Sequence, residues 1–300
     1  MHIKALRTPD DCFHNLPDYP FQPHYLDDLR GYEGLRVHYV DEGPHNADHT
    51  FLCLHGQPSW SYLYRKMIPV FAATGARVVA PDLLGFGKSD KPVEDELYTY
   101  DFHRNMLKAL VEKLDLQNVT LVCQDWGGIL GLTLPMDYPD RFKRIVAMNT
   151  TLPVGESPGQ GFLDWKAYSA SQPDMDVAKL MKRSSSVLSA DEAAAYGAPY
   201  PDKDYKAGVR RFPELVMISP EMPGVETSRA AVRFLSRDWD GEAFLVAGAQ
   251  DPVLGIPAMK QLQAIIRNAS ELFVVEEAGH FIQEWGDVVA AAALDYFGRD

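Results

Sequence analysis

The chain has 300 residues, of which 46% are hydrophobic and 24% charged, the composition of a folded globular protein and not of a disordered, fibrous or membrane chain. Its 42 acidic against 29 basic residues give a formal net charge of -13 without any basic stretch, which argues against nucleic acid, anionic membranes and anionic substrates and leaves small neutral ones open. Cys12, Cys53 and Cys123 form no C-x-x-C pair, the N-terminus lacks an apolar signal core and no long apolar run occurs, so a soluble, cytoplasmic, monomeric protein is expected.

In chain order, apolar runs at 35–40, 50–55, 76–80, 119–124, 144–149, 243–248 and 271–276 predict strands. Several are apolar nearly throughout, as strands buried on both faces must be. Between the third and fourth, 101–114 places Phe102, Met106, Ala109, Leu110 and Leu114 at helical spacing, with Asp101 as its N-cap. The alternation predicts an α/β fold, a mostly parallel sheet flanked by helices. From about 152 to 227, Gly, Pro, Ser and short helical stretches displace the strand signals. This reads as a helical cap, 155–228, inserted into a core of 1–154 and 229–300, with the ligand between the carboxyl edge of the sheet and the cap.

The strongest local signal is Val119-Thr-Leu-Val-Cys-Gln-Asp125-Trp126-Gly127-Gly128, a buried strand ending on a turn with glycines that leads into an apolar helix. Its layout is that of a nucleophile elbow, G-x-S-x-G, with Asp125 in place of serine. A serine must lose a proton before it attacks, whereas a carboxylate is already ionised at neutral pH. An aspartate suits displacement at a saturated carbon, because the alkyl ester it forms can later be hydrolysed at its carbonyl. Two partners follow in the order nucleophile, acid, histidine: Asp251 in Gly248-Ala-Gln-Asp-Pro and His280 in Ala278-Gly-His-Phe, each just past a predicted strand. His280 would be the general base that activates water, and Asp251 would fix its tautomer. His55-Gly56-Gln57-Pro58 closes another strand, and the backbone N–H groups of Gln57 and Trp126 are the expected oxyanion donors.

These residues resemble the haloalkane dehalogenases of the α/β-hydrolase fold, over nearly the whole chain. The most specific stretches are His55-Gly-Gln-Pro-Ser-Trp-Ser-Tyr-Leu-Tyr-Arg65, Pro81-Asp-Leu-Leu-Gly-Phe-Gly-Lys-Ser-Asp90, Gln124-Asp-Trp-Gly-Gly128 and Ala278-Gly-His-Phe-Ile-Gln-Glu284. The subfamily indicated is the one whose acid follows the strand before the histidine strand. The resemblance implies hydrolysis of a small neutral haloalkane by water to an alcohol, halide and a proton. It further implies a halide held by two indole N–H groups, matching Trp126 and, in Gly161-Phe-Leu-Asp-Trp165-Lys, Trp165, with Phe162 lining the alkyl pocket. Indole offers one donor on an apolar body, which suits a large anion in a dry pocket. One departure is Gln57, where related members carry Glu or Asn; another subfamily places its acid at the position of Asn149, an amide here.

Gly85-Phe-Gly-Lys-Ser89 looks like the end of a phosphate loop, but the pattern needs glycine where Asp82 stands. His45 and His49, with Asp48, lie in a polar loop and are not read as a metal site, and no cofactor is expected. Among rival readings, epoxide hydrolases share the Asp nucleophile and use two cap tyrosines, and this cap carries Tyr168, Tyr196, Tyr200 and Tyr205; Trp165 favours the dehalogenase. A fluoroacetate dehalogenase would need Arg at Trp126, a serine esterase G-x-S-x-G, and a non-catalytic receptor would not need all three catalytic residues intact.

Overall fold

A strand that is apolar at every position is stable only where both faces of its sheet are covered. The computed structural model, which describes residues 3–298, shows where that cover comes from. Eight strands make the main sheet: β1 His24–Leu26, β2 Val37–Glu42, β3 Thr50–Leu54, β4 Arg77–Pro81, β5 Val119–Gln124, β6 Phe142–Met148, β7 Glu242–Gly248 and β8 Phe273–Val275. Their order is β8-β7-β6-β5-β3-β4-β2-β1, parallel from β8 to β4 and antiparallel for β2 and β1. β3, β4 and β5 are buried along their whole length, with Cys53 and Cys123 packed in the core and unpaired.

The chain passes from β3 to β4 on one side, then returns to lay β5 on the other. This reversal opens a crevice at the carboxyl ends of β3 and β5. Register aligns those ends: Leu54 lies beside Cys123, Gln124 beside Met148, and Met148 beside Val246. The loops that follow β3, β5, β6 and β7 therefore emerge at one edge.

The predicted strands are all present, the one at 119–124 with the expected ends and the others with one or both ends shifted. The antiparallel edge strand β1 was not read from the sequence, since three half-buried residues carry no clear alternation. The helix Tyr100–Lys113 is capped not by Asp101 but by Thr99, whose extended backbone lets its hydroxyl accept from the Phe102 N–H at 3.1 Å. Asp101 sits instead in the first turn, where its charge favours the helix dipole. Gly85–Ser89 wraps around Asp82, whose carboxylate accepts from the Ser61 and Lys88 N–H groups and pairs with His38 at 2.7 Å. His49 turns inward to the Thr120 hydroxyl and His45 lies beside Asp41.

α1, Trp126–Gly131, follows β5 directly. Between β6 and β7 come α2 Gln160–Ala170, α3 Val177–Ser184, α4 Ala190–Gly197 and α5 Ala207–Leu215, then α6 Val225–Arg237. α2 packs on α5 and α3 on α4, while α6 packs on the core helices Leu134–Asp137 and Ile256–Ile265. The expected boundary at 228/229 falls inside α6, which begins after Gly224 with φ of 95°.

A buried ionic cluster fastens α4 to the core. Arg65 donates to both oxygens of Glu284 at 2.8 and 2.7 Å and to Glu192 of α4 at 2.8 Å, and the Tyr196 hydroxyl of α4 donates to Glu284. Removing one member of such a pair strands a buried charge. Arg65→Met is expected to cost about 3–5 kcal/mol of stability, read as a lowered urea midpoint. A loss under about 1 kcal/mol would mean that the cluster does not anchor the cap.

Candidate active site

β5 delivers Asp125 into the crevice with φ 50° and ψ -124°, a backbone conformation that non-glycine residues rarely adopt. It is held there from several sides: the Asp125 N–H donates to the Asn149 carbonyl at 3.1 Å, and its own carbonyl accepts from the Gly128 N–H at 2.9 Å and the Thr150 hydroxyl at 2.8 Å. Two neighbouring glycines allow the close approach. A Cβ on Gly127 would lie 1.9 Å from the Leu54 carbonyl oxygen, and one on Gly56 would lie 2.2 Å from Asp125 Oδ1.

The two oxygens of Asp125 face different partners. Oδ1 accepts from the Gln57 backbone N–H at 2.8 Å, and the Trp126 amide also donates to the carboxylate. Oδ2 stands 3.7 Å from His280 Nε2, close enough for strong electrostatic coupling and too far for a hydrogen bond. Behind the imidazole, His280 Nδ1 lies 2.7 Å from Asp251 Oδ2. Asp251 Oδ1 in turn accepts from the Val253 and Leu254 N–H groups at 2.9 and 3.1 Å.

Asn149 joins this array in a role the sequence did not disclose. At a φ of 34° just past β6, its Nδ2 donates to Asp251 Oδ2 at 2.8 Å and to the Gly279 carbonyl at 3.1 Å, while its Oδ1 accepts from the Gly248 N–H at 2.8 Å. It ties the acid to both strands that flank it.

The side chain of Gln57 turns away from Asp125. Its Nε2 donates to the Val209 carbonyl of α5 at 2.9 Å in a buried bond. Val209 has that carbonyl to offer because Pro213, four residues on within the same helix, has no N–H to donate to it. A carboxylate at position 57 could not make this bond.

Asp125, His280 and Asp251 share a cavity of about 610 Å³ with Trp126, Trp165 and Phe162, and Gln57 also lines it. Trp126 and Phe162 are buried, and Trp165 is partly buried against the core. The other three indoles do not line the cavity: Trp60 donates its N–H to the Ala195 carbonyl at 3.2 Å, Trp239 packs on Phe234, and Trp285 is partly buried against the core. Of the cap tyrosines, the Tyr196 hydroxyl goes to Glu284 and the Tyr200 hydroxyl to the Pro58 carbonyl, and neither these nor Tyr168 and Tyr205 line the cavity.

Electrostatics follow from this packing. Burial raises the Asp125 carboxyl above the usual range, against the pull of His280 and the Trp126 and Gln57 amides, so its carboxylate is more basic than one in water. Burial works to lower His280, but Asp251 and Asp125 overcome it and raise the imidazole to about 9. For Asp251 burial again raises, and His280 with the Val253 and Leu254 amides outweighs it and holds the carboxyl below its usual value. Asp251 stays ionised and His280 is drawn toward the cation.

Residues 49–287 match the family model of the α/β-hydrolase fold. A haloalkane dehalogenase of Psychrobacter cryohalolentis is 46% identical across 98% of both chains. One from Mycolicibacterium paratuberculosis is 42% identical over 95% of this chain and 94% of its own. Among solved structures, the tetrameric haloalkane dehalogenase DpaA from Paraglaciecola agarilytica is 51% identical and superposes with a TM-score of 0.97 over 99% of this chain and all of that one.

Because Asp125 is one of the charges that raise His280, neutralising it should release the imidazole. In Asp125→Asn the His280 titration, followed by imidazole NMR, is expected to fall below the value near 9. An unmoved titration would show that Asp125 and His280 are not electrostatically coupled.

Proposed function

This chain belongs to the haloalkane dehalogenase family of α/β hydrolases, and on that premise we propose that Asp125 hydrolyses the carbon–halogen bond through a covalent alkyl ester. The enzyme is a hydrolase acting on carbon–halide bonds, taking a haloalkane and water to an alcohol, halide and a proton. The observation that carries the assignment to Asp125 is the unequal setting of its oxygens, Oδ1 on the Gln57 backbone N–H and Oδ2 facing His280.

In the first step Oδ2 attacks the carbon bearing the halogen. The new C–O bond forms as the carbon–halogen bond breaks, and the electron pair leaves on the halide. Trp126 and Trp165 are the donors we assign to the departing halide, with Phe162 against the alkyl chain. The negative charge moves from the carboxylate to the halide without a proton being transferred. Asp125 is now a neutral ester, so one of the two charges that raise His280 is gone.

In the second step His280 takes a proton from water, whose oxygen adds to the ester carbonyl carbon. Oδ1 becomes the oxyanion and already lies 2.8 Å from the Gln57 N–H, and the Trp126 N–H also acts on the carboxylate, so donors are set before the charge develops. Collapse breaks the acyl–oxygen bond, the leaving oxygen takes the proton back from His280 and departs as the alcohol, and the new carboxyl gives up its remaining proton to restore the carboxylate. Asp251, fixed by Asn149 and two amides, stabilises the imidazolium formed on the way.

The rival readings lack support at the cavity. An epoxide hydrolase would need tyrosine hydroxyls there, and the four cap tyrosines are placed elsewhere. Among the described residues no helix is long and apolar enough to cross a membrane. The tetrameric state of the 51%-identical relative supports an oligomer here in place of the expected monomer, which sedimentation would decide.

His280→Ala should form the ester and fail to hydrolyse it, so mass spectrometry after exposure to 1-bromobutane should find a butyl group on Asp125. An unmodified Asp125 would overturn the covalent mechanism. Trp165→Phe removes one donor to the halide and is expected to weaken halide binding and slow displacement about 10–100-fold, since a hydrogen bond to a charged group contributes ~1.5–3 kcal/mol. Halide quenching of Trp fluorescence equal to that of the unaltered protein would remove Trp165 from the site.

A further inference from the structure

One buried side chain at the catalytic centre has no part in the mechanism above. Gln124, the last residue of β5, is fully buried beside the nucleophile. Its Nε2 lies 2.9 Å from His280 Nε2 and 3.2 Å from the His280 carbonyl oxygen. Its Oε1 is buried with no hydrogen-bond partner.

The carbonyl settles which way round the amide sits. A carbonyl oxygen only accepts, so the NH2 end of Gln124 must face it; the reversed amide would set oxygen against oxygen. With one N–H on the carbonyl, the other points at His280 Nε2, which can receive it only as a lone pair. The imidazole then carries its proton on Nδ1, where Asp251 Oδ2 accepts it at 2.7 Å. An N–H on Nε2 would face an N–H of Gln124.

We propose that Gln124 is a positioning residue that holds His280 as the Nδ1–H tautomer by donating to the unprotonated Nε2, so that the imidazole can take a proton there once the hydrolytic water displaces that N–H. The charged groups acting on His280 are Asp251 behind it and Asp125 in front, and both favour the cation. Gln124 opposes them through geometry alone, by presenting donors and no acceptor. Displacement removes the charge on Asp125, and the bond from Gln124 then holds the neutral base until water replaces that N–H at Nε2. Gln124 also ties the orientation of the ring to the strand that carries the nucleophile, since its second N–H grips the main chain of His280 itself.

This rests on the ester mechanism, and single-turnover kinetics with 1-bromobutane separate the two. Halide release reports ester formation and butanol release reports its hydrolysis. Gln124→Met keeps the size and removes the donors, and Gln124→Glu keeps the shape and supplies an acceptor. Both are expected to form the ester within about twofold of the unaltered rate, while the rise of hydrolysis with pH moves upward by about one unit in Met and further in Glu, a roughly tenfold slower hydrolysis at neutral pH. Hydrolysis that keeps its pH profile in both variants, or slows together with ester formation, would overturn the proposal. Absence of any ester in the His280→Ala variant would instead overturn the mechanism it rests on. A measurement on the unaltered protein stands independently of folding in the variants: above the His280 titration, a scalar coupling across the N–H···N bond between Gln124 Nε2 and His280 Nε2 should be seen by NMR, and its absence would equally overturn the proposal.

Discussion

The rest of the site depends on keeping an anionic carboxylate at the end of a buried strand. The Asp125 side chain is only 15% exposed, and withdrawing a charge from water is costly unless hydrogen bonds and opposite charge replace the lost hydration. Each neighbour supplies part of that replacement. Gln57 and Trp126 bring amide N–H groups, His280 brings positive charge, and the positive φ of Asp125 turns the side chain toward all three. Glycines at 56 and 127 are required because the loop after β3 and the turn after β5 must come within contact distance for this to happen. The same desolvation that makes the carboxylate costly leaves it more basic and less hydrated, which is what attack on carbon requires.

The cap is attached to this arrangement by buried polar bonds as well as by apolar packing. Pro213 sacrifices a helical hydrogen bond in α5, and the carbonyl so freed on Val209 is taken by Gln57, the residue whose backbone also holds Asp125. The loop after β3 and the wall of the cavity are therefore one mechanical unit. At α4, Arg65, Glu284, Glu192 and Tyr196 make the equivalent join in ionic form. A pocket that must stay dry and constant in shape is well served by joins of this kind, because breaking them exposes unpaired polar groups to the interior.

Much of this was legible in the sequence, and the parts that were not share a cause. Strands buried on both faces announce themselves by composition, so β2 to β8 could be located from order alone, and Asp125, Asp251 and His280, read from their place after such strands, come together at one cavity. The short edge strand β1 lacks that signal. Thr99 rather than Asp101 caps its helix because the choice between two capping residues two positions apart is made by backbone conformation, which composition does not reveal. Asn149, Gln124 and the side chain of Gln57 were opaque for a further reason: an amide is neutral and both donates and accepts, so its role is set by the atoms it meets. Asn149 drew notice only as the absence of an acid. The acid it supports lies about a hundred positions away, and nothing in the spacing of 149 and 251 foretells a 2.8 Å bond.

On the proposed chemistry the distribution of charge favours neutral donors for the halide. A lysine or arginine beside Asp125 would pair with the carboxylate and hold its electrons back from carbon, whereas an indole N–H brings a donor without a competing cation. On the proposed chemistry the total charge of the cavity is the same before and after displacement, since the negative charge only passes from Asp125 to the halide. His280 then no longer faces a free carboxylate at 3.7 Å. Its attraction for a proton falls with displacement and falls again when the halide departs. The base is therefore strongest as a cation when no ester exists, and becomes free to accept a proton only when there is an ester to hydrolyse; a neutral halide site, a carboxylate nucleophile and a histidine coupled to both are together what give the two steps their order.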